Sequence, residues 1–383
     1  MSTLRRNFLK TLGGGAALSV AGLPGTLFGH APAIIAARAR AGVDDSGRKL
    51  GYCIVGLGRI SMGQFMPGVQ ISERSKLVAF VSGHRDKAER EAAKYGVDPK
   101  NIYDYAHYDE IAHNPAIDAV YIALPNNMHA EYTIRAARAG KHVLTEKPMA
   151  NSPEDCEAMI AACRKAGKKL MVAYRCQYEP TNLKAIELIR SGALGKVQII
   201  ESSFGFNIGK GEWRLDKRMA GGGPMVDVGI YSLKACRYLT GEEPTEVRAS
   251  CSVTDHDGRF NQVEENLGWN MQFPSGIIAN CSTSYGYNGG NWVRVMASKG
   301  WLHLEPAFSY DGLQLKARAQ GMAPLDFTPA DPSPHQFARE ADHLAGCVFN
   351  DKTPKTPGEE GLRDTRLIHA IYHACATDRP VTV

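Results

Sequence analysis

The chain has 383 residues, of which 44% are hydrophobic and 22% charged, and it has a formal net charge of +5. This size and composition predict a soluble protein of about two domains with a large core. The sequence has no basic stripe with interleaved aromatic residues, which argues against a nucleic-acid partner.

The first 41 residues are predicted to form an export signal rather than part of the fold. Residues 5–10 read Arg-Arg-Asn-Phe-Leu-Lys and precede a stretch rich in glycine and alanine, followed by small residues up to Ala41. The pattern is similar to a twin-arginine signal peptide, although Leu4 stands where Ser or Thr is usual. The apolar stretch is too short and too rich in glycine for a membrane span, so no membrane partner is expected. We expect export of the folded protein to the periplasm, with residues 42–49 left as an N-terminal arm.

Nine cysteines occur, and none form a Cys-x-x-Cys pair. The apolar or mixed sequence around five of them predicts buried free thiols at Cys53, Cys176, Cys236, Cys251 and Cys281. Because the twin-arginine pathway carries proteins that have already folded in the reducing cytoplasm, no disulfide framework is expected.

Residues 50–61 predict a buried strand, a tight turn and the start of a helix. Gly56 permits the sharp turn, Gly58 lets a pyrophosphate approach backbone N–H groups, and the helix N-terminus favours negative charge. Ser61 stands in the third glycine position and is small enough for the helix to pack closely on the strand. This pattern is typical of a dinucleotide-binding turn, and the residues expected to contact the cofactor are Gly56, Leu57, Gly58, Arg59 and Ile60.

The second apolar strand, residues 77–81, ends in a run of hydrogen-bond donors. NAD-selective domains have Asp or Glu at this strand end to bind the ribose 2′-hydroxyl, whereas a 2′-phosphate needs donors and positive charge. Ser82, Arg85 and Lys87 supply such donors, so the sequence predicts NADP. Tyr105 follows in a segment that we expect beside the adenine.

Strands and helices alternate up to residue 174, which predicts a doubly wound parallel sheet, the Rossmann type of α/β fold, over residues 50–176. In such sheets the residues that face the cofactor lie at the carboxyl ends of the strands. The residues at the predicted ends are Leu124, Pro125, Asn126, Glu146, Lys147 and Arg175.

The second half of the chain, residues 177–383, has a different pattern. Five strand-like runs with few helices between them predict an α+β domain with a large, mostly antiparallel open sheet. The runs cover residues 197–206, 246–254, 266–273, 277–285 and 292–297. One helix is expected over residues 223–239, and two late helices over 335–349 and 359–376.

Taken in order, the motifs resemble the glucose–fructose oxidoreductase family (Gfo/Idh/MocA), in particular its branch of glucose–fructose and aldose–aldose oxidoreductases. The resemblance covers residues 48–383 and includes Gly-Leu-Gly at 56–58, Leu-Pro-Asn-Asn-Met-His at 124–129, Glu-Lys-Pro at 146–148, Trp-Arg-Leu at 213–215 and Asp-Val-Gly-Ile-Tyr at 227–231. It implies that Lys147 and Tyr231 lie beside the nicotinamide, with Tyr231 as the acid/base. It also implies a dimer or tetramer formed through the open sheet, and cofactor-side positions for His129, Trp213, Arg214 and Tyr310.

Asp227 and Tyr231 are four residues apart on the predicted helix and therefore project from one face. Oxidation of an alcohol by hydride transfer needs a base, and a tyrosine, with an ordinary pKa of about 10, needs a neighbouring cation to act as one near neutral pH. Lys147 is the natural cation. Asp227 is interpreted as binding a substrate hydroxyl or orienting Lys147, and Tyr178 as lining the sugar pocket. The histidines do not cluster as metal ligands do, so no metal is predicted.

An exported enzyme works without a supply of free nicotinamide cofactor. We therefore predict tightly bound NADP and a ping-pong reaction, in which an aldose is oxidised at C1 to the lactone and a second sugar is reduced to a polyol. Three alternatives stay open: a sugar dehydrogenase with exchangeable NADP, an NAD-dependent glycoside hydrolase of the same fold, and a sugar-sensing protein without catalysis. The donors after residue 81 disfavour the second alternative, and the presence of both Lys147 and Tyr231 disfavours the third.

Overall fold

A computed structural model of the protein describes residues 47–330 and 334–383. The predicted signal peptide and most of the predicted arm therefore lie outside the described residues. The described end of the arm is held at the start of the first strand, where the Lys49 ammonium donates to the Ser72 carbonyl over 2.8 Å. None of the helices in the two described ranges has the length and apolar character that a bilayer crossing requires.

The first sheet is parallel throughout, with strand order β3-β2-β1-β4-β5-β6, and confirms the predicted doubly wound domain. All six residues of β1 are buried, as expected of a central parallel strand that is covered on both faces. The strands are β1 (Leu50–Val55), β2 (Ser75–Val81), β3 (Ile102–Tyr103), β4 (Ala119–Ile122), β5 (His142–Glu146) and β6 (Leu170–Ala173).

Helices connect these strands, and two helices of this half begin at a residue whose side chain caps them. Ser152, for example, accepts a hydrogen bond from the Asp155 N–H over 3.1 Å, and proline occupies the first turn that follows. After β1, a π-helical turn (Ser61–Phe65) runs into α1 (Met66–Gln70). The other helices of this half are α2 (Arg85–Tyr95), α3 (His129–Arg138), α4 (Pro153–Lys165) and α5 (Pro180–Arg190), with 3₁₀ turns at Pro99–Asn101, Tyr108–His113, Asn126–Met128 and Arg175–Tyr178.

The second sheet has the order β14-β13-β12-β11-β7-β10-β9-β8-β15. Its pairs are antiparallel except for β7 with β10, which confirms a large and mostly antiparallel sheet. Its strands are β7 (Val197–Gly205), β8 (Glu246–Ser252), β9 (Asn266–Gln272), β10 (Ile278–Ser284), β11 (Asn291–Ala297), β12 (Gly300–Leu304), β13 (Leu315–Ala319), β14 (Leu325–Phe327) and β15 (Val381–Thr382). The predicted runs correspond to β7 to β11, and the strands from β12 onward add to them.

The connection between β7 and β8 contains the remaining short elements before the late helices. These are a 3₁₀ turn (Trp213–Leu215), α6 (Lys217–Ala220), a π-helical turn (Met225–Gly229) and α7 (Ile230–Thr240). The predicted helix over residues 223–239 is thus a π-helical turn followed by an α-helix.

The two late helices, α8 (His335–Phe349) and α9 (Gly358–Thr377), pack partly on the first sheet rather than only on the second. The Tyr52 hydroxyl of β1 donates to the Ala341 carbonyl over 3.2 Å. A Cβ atom at Gly68 would lie 2.7 Å from the Phe337 Cβ, so α1 and α8 are in close contact. The predicted boundary placed both helices in the second domain, because the sequence does not show which sheet the apolar face of each helix covers.

Four of the five thiols predicted to be buried are buried, at Cys53, Cys176, Cys236 and Cys281. The prediction for Cys251 is wrong, because this residue is exposed. It lies near the end of β8, where the last three residues of the strand are exposed to solvent.

Candidate active site

The glycine turn after β1 has the shape that a dinucleotide requires. Gly56 has φ +95° and an added Cβ would lie 2.6 Å from the Ala123 carbonyl oxygen, so only glycine fits there. A Cβ added to Gly58 meets nothing within 4 Å, so the space in front of the turn is open to a pyrophosphate. The Ser61 hydroxyl donates to the Gly56 carbonyl over 2.6 Å and fixes the start of the helix against the turn. The residues of this turn therefore fit the dinucleotide that the sequence predicts.

The predicted 2′-phosphate donors follow β2. The Ser82 hydroxyl accepts from the His84 N–H over 3.1 Å, and the Lys87 ammonium donates to the Leu57 carbonyl of the glycine turn. Arg85 is turned away, because its guanidinium donates to Glu89 over 2.8 Å and to the Ile102 carbonyl over 3.1 Å. Lys87 therefore reaches the glycine turn, and Ser82 directly follows Val81, whose carbonyl accepts from the Gly56 N–H over 3.0 Å, while Arg85 is engaged elsewhere.

The predicted adenine neighbour also lies at this end of the sheet. Tyr105 packs edge-on against Tyr132 with ring centroids 5.5 Å apart. A Cβ added to Gly83 would lie 3.4 Å from the Tyr105 ring, so the ring flanks the end of β2.

The loops after β4 and β5 are tied together by a buried histidine. The two ring nitrogens of His129 lie 2.9 Å from the Leu124 carbonyl and 2.9 Å from the Pro148 carbonyl. Pro125 lies in the same loop, and the Asn126 amide donates to the Ala220 carbonyl over 2.8 Å. His129 therefore shapes the cofactor side of the site through these loops.

Glu146 precedes Lys147 at the end of β5. Its carboxylate accepts from the Tyr121 hydroxyl over 2.5 Å and from the Lys147 N–H over 3.2 Å. Burial raises the pKa of the Glu146 carboxyl, and the positive charge of Lys147 only partly opposes this.

Lys147 lies between the other two predicted catalytic residues. Its ammonium donates to the Asp227 carbonyl over 2.6 Å and lies 3.5 Å from the Asp227 Oδ1. It also lies 4.7 Å from the centroid of the Tyr231 ring. The structure therefore brings Lys147, Asp227 and Tyr231 together, which we call the catalytic cluster. Asp227 lies in the π-helical turn that precedes α7, a type of local distortion often found at functional sites.

The Asp227 carboxylate is held in its ionised form. Burial raises the pKa of this carboxyl, but Lys147, Arg214 and the Tyr285 hydroxyl more than offset it, so the pKa is lowered. The Arg214 Nε lies 3.0 Å from the Asp227 Oδ2, and the Tyr285 hydroxyl donates to the same oxygen over 2.8 Å. Tyr285 was not predicted as a site residue, and its only signal in the sequence is its position at the end of the predicted run 277–285.

The cation at the Tyr231 hydroxyl is Arg175 rather than Lys147. The Arg175 Nε donates to the Tyr231 hydroxyl over 3.3 Å, while Lys147 lies over the ring because Asp227 holds its ammonium. The Arg175 guanidinium also stacks at 5.0 Å on the Tyr231 ring and at 4.5 Å on the Tyr310 ring. Burial raises the pKa of Tyr231, and Arg175 lowers it only in part. Tyr231 therefore holds a proton near neutral pH.

Arg175 is itself held by a residue of α8. Its guanidinium donates to the Gln336 Oε1 over 2.8 Å and to the Ser309 carbonyl over 3.2 Å. The Gln336 amide in turn donates to the Tyr310 carbonyl over 2.9 Å. Gln336 was not predicted, because nothing in the sequence of a late helix indicates that it returns to this site.

Two further predicted residues lie beside the cluster, and one lies away from it. Arg214 stacks on Trp213 at 4.7 Å. The Arg59 side chain of the glycine turn bonds Glu212 over 2.7 Å and so connects that turn to the same segment. Tyr178 is 6% exposed and its hydroxyl lies 3.1 Å from the Thr356 Oγ1, within the packed interior. The structure therefore does not bring Tyr178 to the catalytic cluster.

In the described ranges, no three His, Cys, Asp or Glu side chains are grouped as metal ligands would be. The charged groups of the catalytic cluster instead pair with one another. The arrangement therefore suits proton transfer and the binding of hydroxyl groups beside a dinucleotide.

Replacement of Tyr285 by Phe is expected to lower kcat/KM about 5-fold, which corresponds to the loss of one hydrogen bond worth about 1 kcal/mol. The change removes the donor to the Asp227 Oδ2 and leaves the aromatic ring in place. Tyr372→Phe is the matched control, because that hydroxyl donates over the same 2.8 Å to Glu264, a half-buried carboxylate that is not part of the catalytic cluster. Equal losses of activity in the two variants would show that Tyr285 has no specific role.

Comparison with known proteins identifies both halves of the chain. The model of the "oxidoreductase family, NAD-binding Rossmann fold" matches residues 50–174, and that of the Gfo/Idh/MocA C-terminal domain matches residues 182–303. The crystal structure of an aldose–aldose oxidoreductase from Caulobacter crescentus, complexed with glycerol, is 46% identical, with a TM-score of 0.85 over 88% of this chain and 100% of that one.

Two other proteins are similar over most of their length. A D-xylose 1-dehydrogenase (NADP+) from Haloarcula marismortui is 30% identical over 86% of this chain and 92% of its own. A 3-ketoreductase from Actinomadura kijaniata, in complex with NADP and TDP-benzene, has a TM-score of 0.75 and 23% identity over 85% of this chain and 98% of that one. At that identity, the similarity to the ketoreductase shows the fold alone.

Proposed function

Because the chain belongs to the Gfo/Idh/MocA family of oxidoreductases, we propose that it moves a hydride from one sugar to another through an NADP that it keeps bound. The protein is a sugar oxidoreductase with an NAD(P)-binding Rossmann domain. The observation that carries the finer proposal is the catalytic cluster, with Arg175 at the tyrosine hydroxyl and Lys147 against Asp227. The 46% identity to an aldose–aldose oxidoreductase supports a sugar as both donor and acceptor.

When bound, the nicotinamide of NADP accepts a hydride from the carbon of one sugar and supplies it to another. The chain positions the sugar and moves the proton. Tyr231 takes the proton of the C1 hydroxyl as an aldose becomes the lactone, and gives a proton to the second sugar as it becomes a polyol. Arg175, 3.3 Å from the phenol oxygen, stabilises the phenolate that the first step needs.

Lys147 and Asp227 orient the sugar. An ammonium has three donors, and the Lys147 Nζ lies within 2.6 Å of one Asp227 oxygen and 3.5 Å of another. We assign the third donor to a sugar hydroxyl. The ionised Asp227 carboxylate, fixed by Arg214 and Tyr285, accepts a second hydroxyl through a lone pair that these contacts do not use.

NADP rather than NAD is supported by the residues after β2. Ser82 and Lys87 lie at the glycine turn, and the described strand end has no carboxylate in the position that binds a ribose 2′-hydroxyl. The relative from Haloarcula marismortui is named for NADP+.

Ser82→Asp is expected to shift the preference from NADP toward NAD by about 10-fold or more, because a carboxylate repels the 2′-phosphate and accepts from the 2′-hydroxyl. Asp can also keep the bond that Ser82 accepts from the His84 N–H, so the turn is retained. The measurement is the ratio of dissociation constants for the two cofactors, with Ser82→Asn as the uncharged control. An unchanged ratio would remove Ser82 from the 2′-phosphate site.

The proposal includes export to the periplasm, which rests on residues outside the described ranges. An enzyme in a compartment without free nicotinamide cofactor completes many turnovers only if the cofactor is retained and regenerated in place. The second sugar then regenerates the bound cofactor, whereas an ordinary dehydrogenase exchanges the used cofactor for a new one.

We also propose a homo-oligomer formed through the outer face of the second sheet. Ile278, Ile199, Met296 and Trp301 pair in sequence across four neighbouring strands. Three of these side chains are more than a third exposed, at 38% for Ile278, 37% for Ile199 and 42% for Trp301. An exposed apolar row of this kind supports contact with a second subunit. Sedimentation as a monomer would contradict this part of the proposal.

The proposed function is tested on protein that is purified without added cofactor, dialysed exhaustively and then denatured, with the released small molecules identified by mass spectrometry. Near-stoichiometric NADP(H) is the expected result. NAD(H) would contradict the assignment of Ser82 and Lys87 and would favour the glycoside hydrolase. A protein without nucleotide would favour a dehydrogenase with exchangeable NADP.

A further inference from the structure

The segment between β7 and α6 joins two parts of the candidate active site. Residues 207–216 of this segment are called the strap here. On one side the strap reaches the catalytic cluster, where the Arg214 Nε lies 3.0 Å from the Asp227 Oδ2. On the other side it reaches the glycine turn, because the Arg59 guanidinium donates to both Glu212 carboxylate oxygens over 2.7 Å. The strap therefore connects the glycine turn to the catalytic cluster.

A bound dinucleotide extends between the same two places. Its pyrophosphate lies against the glycine turn, and its nicotinamide has to reach the catalytic cluster for a hydride to be transferred. The strap residues Glu212, Trp213 and Arg214 are half-buried, so their side chains keep surface free for contact with a ligand. The strap is thus placed to cover the part of the cofactor that carries the pyrophosphate and the nicotinamide.

The start of the strap is fixed by the loop between β8 and β9. Arg259 of that loop donates to the Asn207 Oδ1 over 2.6 Å and to the Ile208 carbonyl over 2.8 Å. The Arg259 side chain is only 8% exposed, and it also bonds the carboxylates of Asp255 and Asp257 in its own loop. Because a guanidinium presents its donors in a rigid fork, this one side chain sets the position of the strap against the loop.

Apolar contacts hold the same end of the strap. The Ile208 N–H donates to the Tyr285 carbonyl over 2.9 Å, just after β10. The Ile208 side chain belongs to a small buried cluster, whose other members are Val228, Phe260, Val263 and Tyr285. The ion pair at the glycine turn is different, because its Arg59 side chain is 80% exposed. The base of the strap is therefore rigid, while its ion pair with the turn is of a kind that opens easily and is screened by salt.

We propose that the strap covers the bound NADP and slows its release, with the Arg59–Glu212 ion pair as its latch and Arg259 as the residue that positions it. The inference rests on the proposed function, in which the cofactor is retained, and it adds the residues that retain it. In the part of the chain that the structure describes, the hydrogen bonds of the Arg259 side chain go to the strap and to its own loop. Arg259 is therefore a positioning residue, and its effect on the cofactor passes through the strap.

The test measures release of the nucleotide and does not depend on activity. Full-length protein loaded with NADP is incubated with a large excess of isotopically labelled NADP, and samples are freed of unbound nucleotide and denatured. Mass spectrometry then gives the labelled share of the bound nucleotide over time. Arg259→Met is expected to exchange its nucleotide about 10-fold faster than the wild-type protein, because the strap loses the bonds at Asn207 and Ile208.

Glu212→Gln distinguishes a latch from a carboxylate that only lies near the phosphates. The change keeps the size of the side chain and removes its charge. Loss of the latch is expected to speed release about 2–5-fold, the effect of one exposed ion pair, and to make release less sensitive to salt. A carboxylate without a latching role would only repel the pyrophosphate, so its neutralisation would slow release. The sign of the change therefore decides between the two roles.

Arg318→Met is the matched control for Arg259→Met. Arg318 likewise bonds a backbone carbonyl and an Asp side chain of a neighbouring segment, but it joins β13 to β14 at the far edge of the second sheet. Its exchange rate is expected to stay within about 2-fold of wild type.

Three results would overturn the proposal: equal acceleration in the two arginine variants, unchanged exchange in Arg259→Met, or slower release from Glu212→Gln. These results leave the proposed function intact when the wild-type protein exchanges its nucleotide slowly. Complete exchange by the wild-type protein within seconds would instead contradict the retained cofactor, and with it both the proposed function and the strap as a cover.

Discussion

Tyr231→Phe is expected to lower the rates of both half-reactions by about 10²–10⁴-fold, the range for loss of a positioned acid/base. The variant keeps the ring, and with it the contacts to Lys147 and Arg175, and loses only the hydroxyl that exchanges the proton. The two rates are measured separately: reduction of the bound cofactor by an aldose, and its reoxidation by a second sugar.

Tyr372→Phe is the control for this variant, because it removes a phenol hydroxyl that lies outside the catalytic cluster and donates to the Glu264 carboxylate. Its half-reactions should remain within about 2-fold of the wild-type rates, as expected for a change remote from the reacting atoms. If Tyr231→Phe slowed only one half-reaction, a second residue would have to serve as acid/base for the other.

The raised pKa of Tyr231 predicts opposite pH dependences for the two half-reactions. Burial raises this pKa and Arg175 offsets the effect only in part, so the phenol is protonated through the neutral range. Oxidation of the aldose needs the deprotonated form, and its rate should therefore rise with pH across that range. Reduction of the second sugar needs the protonated form, so its rate should stay flat and fall only in alkaline solution.

Lys147→Met is expected to lower kcat by about 10²–10³-fold, the second large effect. The ammonium contacts both the carbonyl and the carboxylate of Asp227, and it lies over the Tyr231 ring. Its loss leaves Asp227 with Arg214 and Tyr285 as partners and removes the donor that we assign to the sugar. The measurement is kcat per bound NADP, so that any loss of cofactor is counted separately.

Lys147→Arg is the companion variant, since it keeps the charge but replaces a compact ammonium by a planar, wider group. We expect it to recover only part of the activity lost in Lys147→Met. Activity within about 3-fold of wild type for Lys147→Met would contradict the place of Lys147 in the catalytic cluster.

The sequence predicted the parts of the site that depend on local chemistry. The glycine turn follows directly from residues 56–58, and the loops at the carboxyl ends of β4 and β5 follow from the alternation of strands and helices. Spacing along the predicted helix placed Asp227 and Tyr231 on one face, and in the structure both residues contact Lys147. Both contacts are made although Asp227 lies in a π-helical turn rather than in the predicted α-helix.

The parts that were missed depend on contacts between distant segments. Gln336 reaches Arg175 from α8, and Tyr285 reaches Asp227 from the end of β10. Arg175 rather than Lys147 is the cation at the Tyr231 hydroxyl, because the Asp227 carbonyl holds the Lys147 ammonium. No sequence pattern predicts which acceptor a lysine ammonium will bind. Tyr178 lies beside Arg175 in the sequence, yet its hydroxyl faces Thr356 in the interior.

Transfer of deuterium from one sugar to another shows whether hydride passes between sugars through a retained cofactor. Dialysed enzyme without added cofactor is given an aldose labelled with deuterium at C1, together with an unlabelled acceptor sugar. Deuterium is expected in the polyol over many turnovers, together with an unlabelled lactone. If turnover stopped after one equivalent, or required added NADP, hydride would not pass between sugars through a retained cofactor, and the protein would be a dehydrogenase with exchangeable NADP.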